Sequence, residues 1–201
     1  MQTRPYSELF DLIKSLAGVN EFTSEETNYI LNFANRRFKQ AFDAYDFWPR
    51  YLVAGEARAV SANGVIPFTE TSKKDIGEFL RIHRDKPFDR NSTIEYEFYV
   101  TGDGASLLNM RSGSSSSVFV TYKEEVPEIV ATTRIPLEFF YFMAHVVYAD
   151  FLRMDGQNEK AIIEEQIGAQ YLDTELSKAS ITSNTNIVGK RISTYVNRQS
   201  R

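Results

Sequence analysis

No cysteine occurs among the 201 residues. That excludes disulfides and zinc–thiolate sites, and it fits assembly in a reducing compartment. Histidine is nearly as scarce, with only His83 and His145. One lies between Arg81, Arg84 and Asp85 and the other in the most apolar segment, settings in which a lone histidine serves the surface or the core. The sequence has no H-x-x-x-H, no G-x-S-x-G, no phosphate-cradling glycine loop and no dinucleotide fingerprint. "GDG" at 102–104 lacks the spaced carboxylates that calcium needs. The expectation is a protein that is not an enzyme, with no catalytic, cofactor-binding or metal-binding residues. A long apolar run is also missing. "IPLEFFYFMAHVVYADFL" (135–152) is interrupted by Glu138, His145 and Asp150, and the N-terminus has no continuous apolar stretch. A soluble chain without leader, span or membrane partner is expected. Finally, positive charge is not in excess: the formal net charge is -4, so the surface as a whole does not attract phosphate.

What is present is periodicity that changes along the chain. In "YSELFDLIKSLAG" Leu9, Leu12, Ile13 and Leu16 share one helical face and Gly18 suits the stop. A capping box in "TSEE" pairs Thr23 with Glu26, and Ile30, Ala34, Phe38, Ala41, Phe42 and Tyr45 recur behind it at helical spacing. Pro49 is expected to end this helix. From Tyr51 the pattern becomes β. "YLVAGEARAV" and "VIPFT" flank Asn63-Gly64, a strong hairpin turn. "DIGEFLRIHRD", "TIEYEFYV" and "SVFVTYKEE" read as strands, "TGDG" as a turn and "RSGSSSS" (111–117) as a loop. Helices return at Pro136, a good first helical position, and run to about Met154, then from Asn158 to Lys178 after Asp155-Gly156-Gln157. The sequence therefore predicts an α+β fold. A four-helix bundle-like helical domain (1–50 with 126–178) carries an inserted antiparallel β domain or small sandwich (51–125), followed by an extended C-terminal arm (179–201).

Four features bear on function. Arg36-Arg37 with Lys39 is too short a basic run, beside Asp43 and Asp46, to make a phosphate-binding stripe, and reads as a solvated face with its own ion pairs. Tyr45, Phe47 and Trp48 could stack bases, but no basic groove accompanies them; Trp48, Pro49 and Tyr51 are expected instead to pin the joint between the two parts. The helix at 136–154 is apolar nearly all round and must be buried all round, either by the three other helices or partly by a second subunit. Its partner keeps Ile163, Ile167 and Tyr171 on one stripe, with Ala161, Gly168 and Ala169 small enough for close approach. The tail lacks acidic residues, carries Lys190, Arg191, Arg198 and Arg201, and is too apolar for a solubilising tail. Burying Ile187, Val188, Ile192, Tyr195 and Val196 would contribute on the order of 10 kcal/mol. Ordering the segment costs about as much, at ~1–2 kcal/mol per residue. Alone it should stay loose, and several copies on one multivalent partner would dock. Extended at ~3.3 Å per residue, it would reach roughly 75 Å.

Four stretches, "NRRFKQAFDAYDFWPR", "IGEFLRIHRDKPF", "VFVTYKEEVPEI" and especially "ADFLRMDGQNEKA", together with the order helix pair, β insertion, helix pair, tail, resemble the head-to-tail adaptor (connector, neck) proteins of tailed bacteriophages. In the last stretch the apolar helix, the turn Asp155-Gly156-Gln157 and the helix entered at Lys160-Ala161 look like that family's central helical pair. The resemblance implies a structural virion protein at the head–tail interface, assembled in the host cytoplasm, with no catalytic residue to carry over. Such proteins form homo-oligomeric, twelve-fold rings below the portal protein. They extend the channel for DNA ejection, with genomic DNA as passing cargo, and meet a downstream tail or nozzle protein. In several relatives the C-terminal segment docks onto the portal. That role is assigned here to 179–201, with Ile187, Val188, Arg191, Ile192, Tyr195 and Val196 as contacts, on composition and apolar spacing rather than on a matched motif. A tail-completion or terminator protein, and a single-stranded nucleic-acid-binding module using the aromatics near Trp48, are the competing expectations.

Overall fold

A computed structural model describes residues 2–87, 94–108 and 117–199, and for 181–199 the course of the backbone only. The fold is α+β. The described residues form four helices and eight strands in antiparallel sheets. The chain divides into two compact units, one of Met1–Tyr45 with Glu128–Arg201 and one of Asp46–Pro127.

The first unit opens with strand β1 (Thr3–Pro5) and helix α1 (Tyr6–Ala17). Leu9 and Ile13 are buried. Gly18 closes α1 in the left-handed conformation (φ 69°), its N–H reaching Ser15 O, a geometry glycine adopts without Cβ strain. Helix α2 (Ser24–Asp43) starts with the capping box that the sequence predicts: Thr23 N–H donates to Glu26 at 2.8 Å and Glu26 N–H donates back to Thr23 Oγ1 at 3.3 Å. These bonds hold the Glu26 carboxyl below its ordinary range, the backbone N–H of Thr23 contributing most. The helix does not reach Pro49. It stops at Asp43, and residues 44–51 run through turns. The restriction before a proline acts only on its neighbour, so it could not fix an end six residues earlier.

The second unit holds two three-stranded sheets. One has the order β2 (Leu52–Ala59), β7 (Ser117–Glu124), β4 (Ile76–His83); the other β3 (Val65–Pro67), β6 (Gly104–Leu107), β5 (Phe98–Thr101). Ile66, Ala105 and Leu107 from the second sheet share one apolar cluster with Ile76, Phe79, Ile82, Val118, Val120 and Tyr122 from the first. The turn at Asn63-Gly64 forms, with Gly64 at φ 76° and Ser61 N–H donating to Val65 O at 2.9 Å. The hairpin expected across it does not. β2 pairs with β7 and β3 with β6, so the flanking runs enter different sheets that share one core. Gly104 shows how tightly these strands meet: a Cβ there would lie 1.9 Å from Ile66 O. "TIEYEFYV" pairs in two places: Glu95 bridges His83, with Tyr96 N–H donating to Ile82 O at 2.8 Å, and the strand β5 proper begins at Phe98. Of the predicted loop 111–117, residues 111–116 lie outside the described residues, and Ser117 already opens β7.

The chain returns through strand β8 (Arg134–Pro136), which pairs with β1. Pro136 is the residue before helix α3 (Leu137–Met154), not its first turn. α3 packs against α1, α2 and α4. Phe139, Phe140, Met143, Ala144, Val146 and Val147 are buried. The apolar circumference is thus met largely within one chain, with Tyr141 and Met154 as the large exposed exceptions.

Helix α4 (Asn158–Gln199) departs most from expectation. The backbone of 179–199 continues the helix, so the tail is not an extended arm. A helix already formed lengthens by one hydrogen bond per residue without a new nucleation cost, and Gly189 alone does not halt it. At ~1.5 Å per residue, the segment advances roughly 30 Å rather than 75 Å.

Candidate functional site

The α3–α4 pair begins at the predicted turn. Gly156 takes φ 78°, its N–H donating to Arg153 O at 3.1 Å; Gln157 N–H donates to Leu152 O at 2.9 Å, and Ala161 N–H to Gln157 O at 3.1 Å. Asp155, Gly156 and Gln157 together close one helix and start the next. Close approach follows. A Cβ on Gly168 would fall 2.7 Å from Val146 Cγ1 and 3.2 Å from Phe142 O. Ala161, Gly168 and Leu172 face inward, whereas Ala169 is exposed. The stripe Ile163, Ile167, Tyr171 therefore turns outward, with Ile163 57% and Tyr171 45% exposed. Small residues occupy the seam because the backbones touch there, and the large ones are left outside. Tyr171 stacks on Tyr141 (centroids 5.4 Å) and on His145 (5.5 Å, 14° between planes), and His145 Nδ1 lies 2.7 Å from Glu164 Oε2.

A buried ion cluster fixes α2 against this pair. Asp150 on α3 is almost wholly buried and receives three arginines. Arg37 donates from Nε at 2.7 Å and Nη2 at 2.6 Å, Arg36 approaches at 2.8 Å and Arg153 at 3.3 Å. Glu165 on α4 completes the cluster, taking Arg37 at 3.1 Å and Arg153 through a short contact. Burial alone would raise the Asp150 carboxyl; the hydrogen bonds from Arg37 and Arg36 outweigh it and hold the group below its ordinary range. Glu165 is lowered chiefly by its bond from Arg153. Sequence reading placed Arg36-Arg37 on a solvated face with local ion pairs. The correction concerns Arg37, 11% exposed in its side chain and paired 113 residues away. An isolated Asp150 in an apolar helix was its one legible trace, since a buried carboxylate needs a partner.

The remaining predicted residues lie apart from this cluster. Trp48 and Tyr51 are buried in the second unit and Pro49 is exposed. Base stacking by Trp48 is thereby closed off, while Phe47 is exposed. Arg58, the basic residue on the strand after these aromatics, is fully buried. Its guanidinium sits 4.8 Å from the Tyr122 ring centre and Nε 2.8 Å from Glu56, so it offers phosphate nothing. Ile187, Val188, Arg191, Ile192, Tyr195 and Val196 lie where only the backbone is described. Among the described residues no group of three or more His, Asp or Glu could hold a metal ion, and no helix is long and apolar enough to cross a membrane. No protein-family model matches the chain, and a search of curated proteins finds no match.

The first unit thus presents a helical pair, tied to α2 by the ion cluster, with Ile163 and Tyr171 exposed along the outer side of α4.

Proposed function

We propose that the chain is a structural virion protein that forms a ring below a phage portal, extends the DNA channel and joins head to tail, without enzymatic activity. The carrying observation is the α3–α4 pair, joined by Asp155-Gly156-Gln157 in the stretch that most resembles the adaptor family, with an exposed apolar stripe on α4. Ile163 and Tyr171, at i and i+8 on the exposed side of α4, are apolar surface that a neighbouring subunit would cover. The helical continuation of α4 replaces the extended arm as the portal-docking element. A helix lays one apolar face into a groove, so the contact is shorter and more local than a strand's would be.

Purified protein examined by light scattering over a concentration series, with negative-stain class averages, tests the ring directly. Rings with a central hole, alone or on purified portal protein, are the expected result. Monomers throughout, with and without portal, would refute it. A chain ending at Lys178 should lose portal capture, and equal capture would remove the tail from the reading.

A further inference from the structure

Strand β2 lies at the edge of its sheet, with β7 on one side only. Backbone groups of an antiparallel strand point to its two sides in turn, so half of those in β2 face away from β7. An edge left in that state is a template for another chain. At Ala57 and Ala59 the outward groups are taken. Lys73 Nζ donates to Ala57 O at 2.5 Å, and Ala59 N–H donates to Glu70 Oε2 at 3.3 Å. A neighbouring strand would offer these residues the same two things, one donor and one acceptor. Both side chains come from the loop between β3 and β4, whose neck is closed by Ile76 N–H donating to Phe68 O at 3.0 Å.

The loop is built to hold that pair in place. Lys73 N–H donates to Glu70 O at 3.1 Å, and Lys73 Nζ also meets Glu70 Oε1 at 2.6 Å. The bond from Lys73 is the largest reason that the Glu70 carboxyl lies below its ordinary range. The fully buried Arg58 ties down the far end, donating through Nη2 to Lys74 O, and Lys74 reaches Glu124 at 2.5 Å. Ser72, between Glu70 and Lys73, takes φ 69°, the one positive φ outside glycine among the described residues. A serine stays in that conformation where its surroundings hold it.

We propose that Glu70 and Lys73 form a guard on β2: they occupy the outward groups of Ala57 and Ala59 so that a second copy of this chain cannot add a strand there. A second copy is the occupant excluded, because every copy carries the same edge and the copies are always present together. Unlike a ring contact, this edge is one along which copies are kept from joining, and it holds for a monomer as well as for a ring.

The test uses the full chain, with light scattering over a concentration series, thermal melts to confirm folding, and hydrogen exchange. With Glu70→Ala and Lys73→Ala together, the Ala59 amide should exchange about tenfold faster or more. The same variant should associate, beyond the state of the unmodified chain, at about a tenth of the concentration. Adding Ala59→Pro should abolish that extra association, because proline removes the outward N–H and costs the β2–β7 ladder nothing. If the double variant does not fold, Lys73→Met, which keeps the stem and drops the donor, carries the same test. Association unchanged with both side chains gone would overturn the guard. An Ala59 amide that exchanges no faster would overturn it too, since Glu70 would then not cover the edge. Extra association that survives Ala59→Pro would place the new contact elsewhere and overturn it as well.

Discussion

Replacing Asp150 by asparagine removes one charge and almost no volume, and it strikes the centre of the ion cluster. Arg37 would keep Glu165 at 3.1 Å but lose the bidentate pair at 2.6 and 2.7 Å that accompanies its burial. Arg36 and Arg153 are open enough to turn to water. Breaking a buried pair by removing one partner costs about 3–5 kcal/mol, mostly for the charge left behind. At ~2–4 °C per kcal/mol for a chain of this size, the first unit should melt roughly 6–20 °C lower by calorimetry or circular dichroism. Arg37→Met with Asp150→Leu should recover most of the loss, because apolar residues of similar volume replace such pairs at little cost. The pH profile carries the same physics. The folded carboxyls of Asp150 and Glu165 lie below their unfolded values, so their contribution is complete above the ordinary carboxylate range. It drains away as pH falls below about 4 through the folded values. Asp150→Asn should flatten its share of that acid limb. A single-variant loss under about 1 kcal/mol, or a double variant as unstable as the two singles summed, would refute the reasoning.

Other perturbations probe packing. Gly168→Val forces a branched side chain into a seam where even a Cβ stands 2.7 Å from Val146; a loss of about 1–3 kcal/mol is expected in chemical unfolding, and a neutral result would mean that α4 can move off α3. Gly104→Ala meets both Ile66 O and an unfavourable φ of 143°, and should destabilise the β unit by several degrees in a thermal melt while leaving the helical unit's transition in place. Trp48→Ala should cost roughly 3–5 kcal/mol for a fully buried indole, read from the melting temperature; an unchanged value would show that the ring contributes nothing to the fold.

How much was legible depended on the range over which each feature is decided. The capping box of Thr23 and Glu26, the stop at Gly18, the turn at Asp155-Gly156-Gln157 and the left-handed turn at Asn63-Gly64 are settled within a few residues, and the sequence states them outright. The apolar circumference of 136–154 announced burial all round but left open whether the other helices or a second subunit would supply it. Pairing is another matter. Nothing near Asn63-Gly64 says that its flanking strands will part into different sheets, and nothing in "SITSNTNIVGK" says that α4 will run on.

The sequence by itself determined the α+β class, the helix ends with local caps, and the absence of disulfide and thiolate chemistry, because each is written in composition or short-range geometry. Only tertiary structure decided that Arg37 would be buried against Asp150, that small Ala161 and Gly168 would take the seam, and that Ile163 and Tyr171 would be left facing outward. Those outcomes depend on which backbones approach one another, across 113 residues for Arg37 and Asp150 and across the α3–α4 seam for Gly168, and helical periodicity ranks faces by polarity without saying which neighbour arrives.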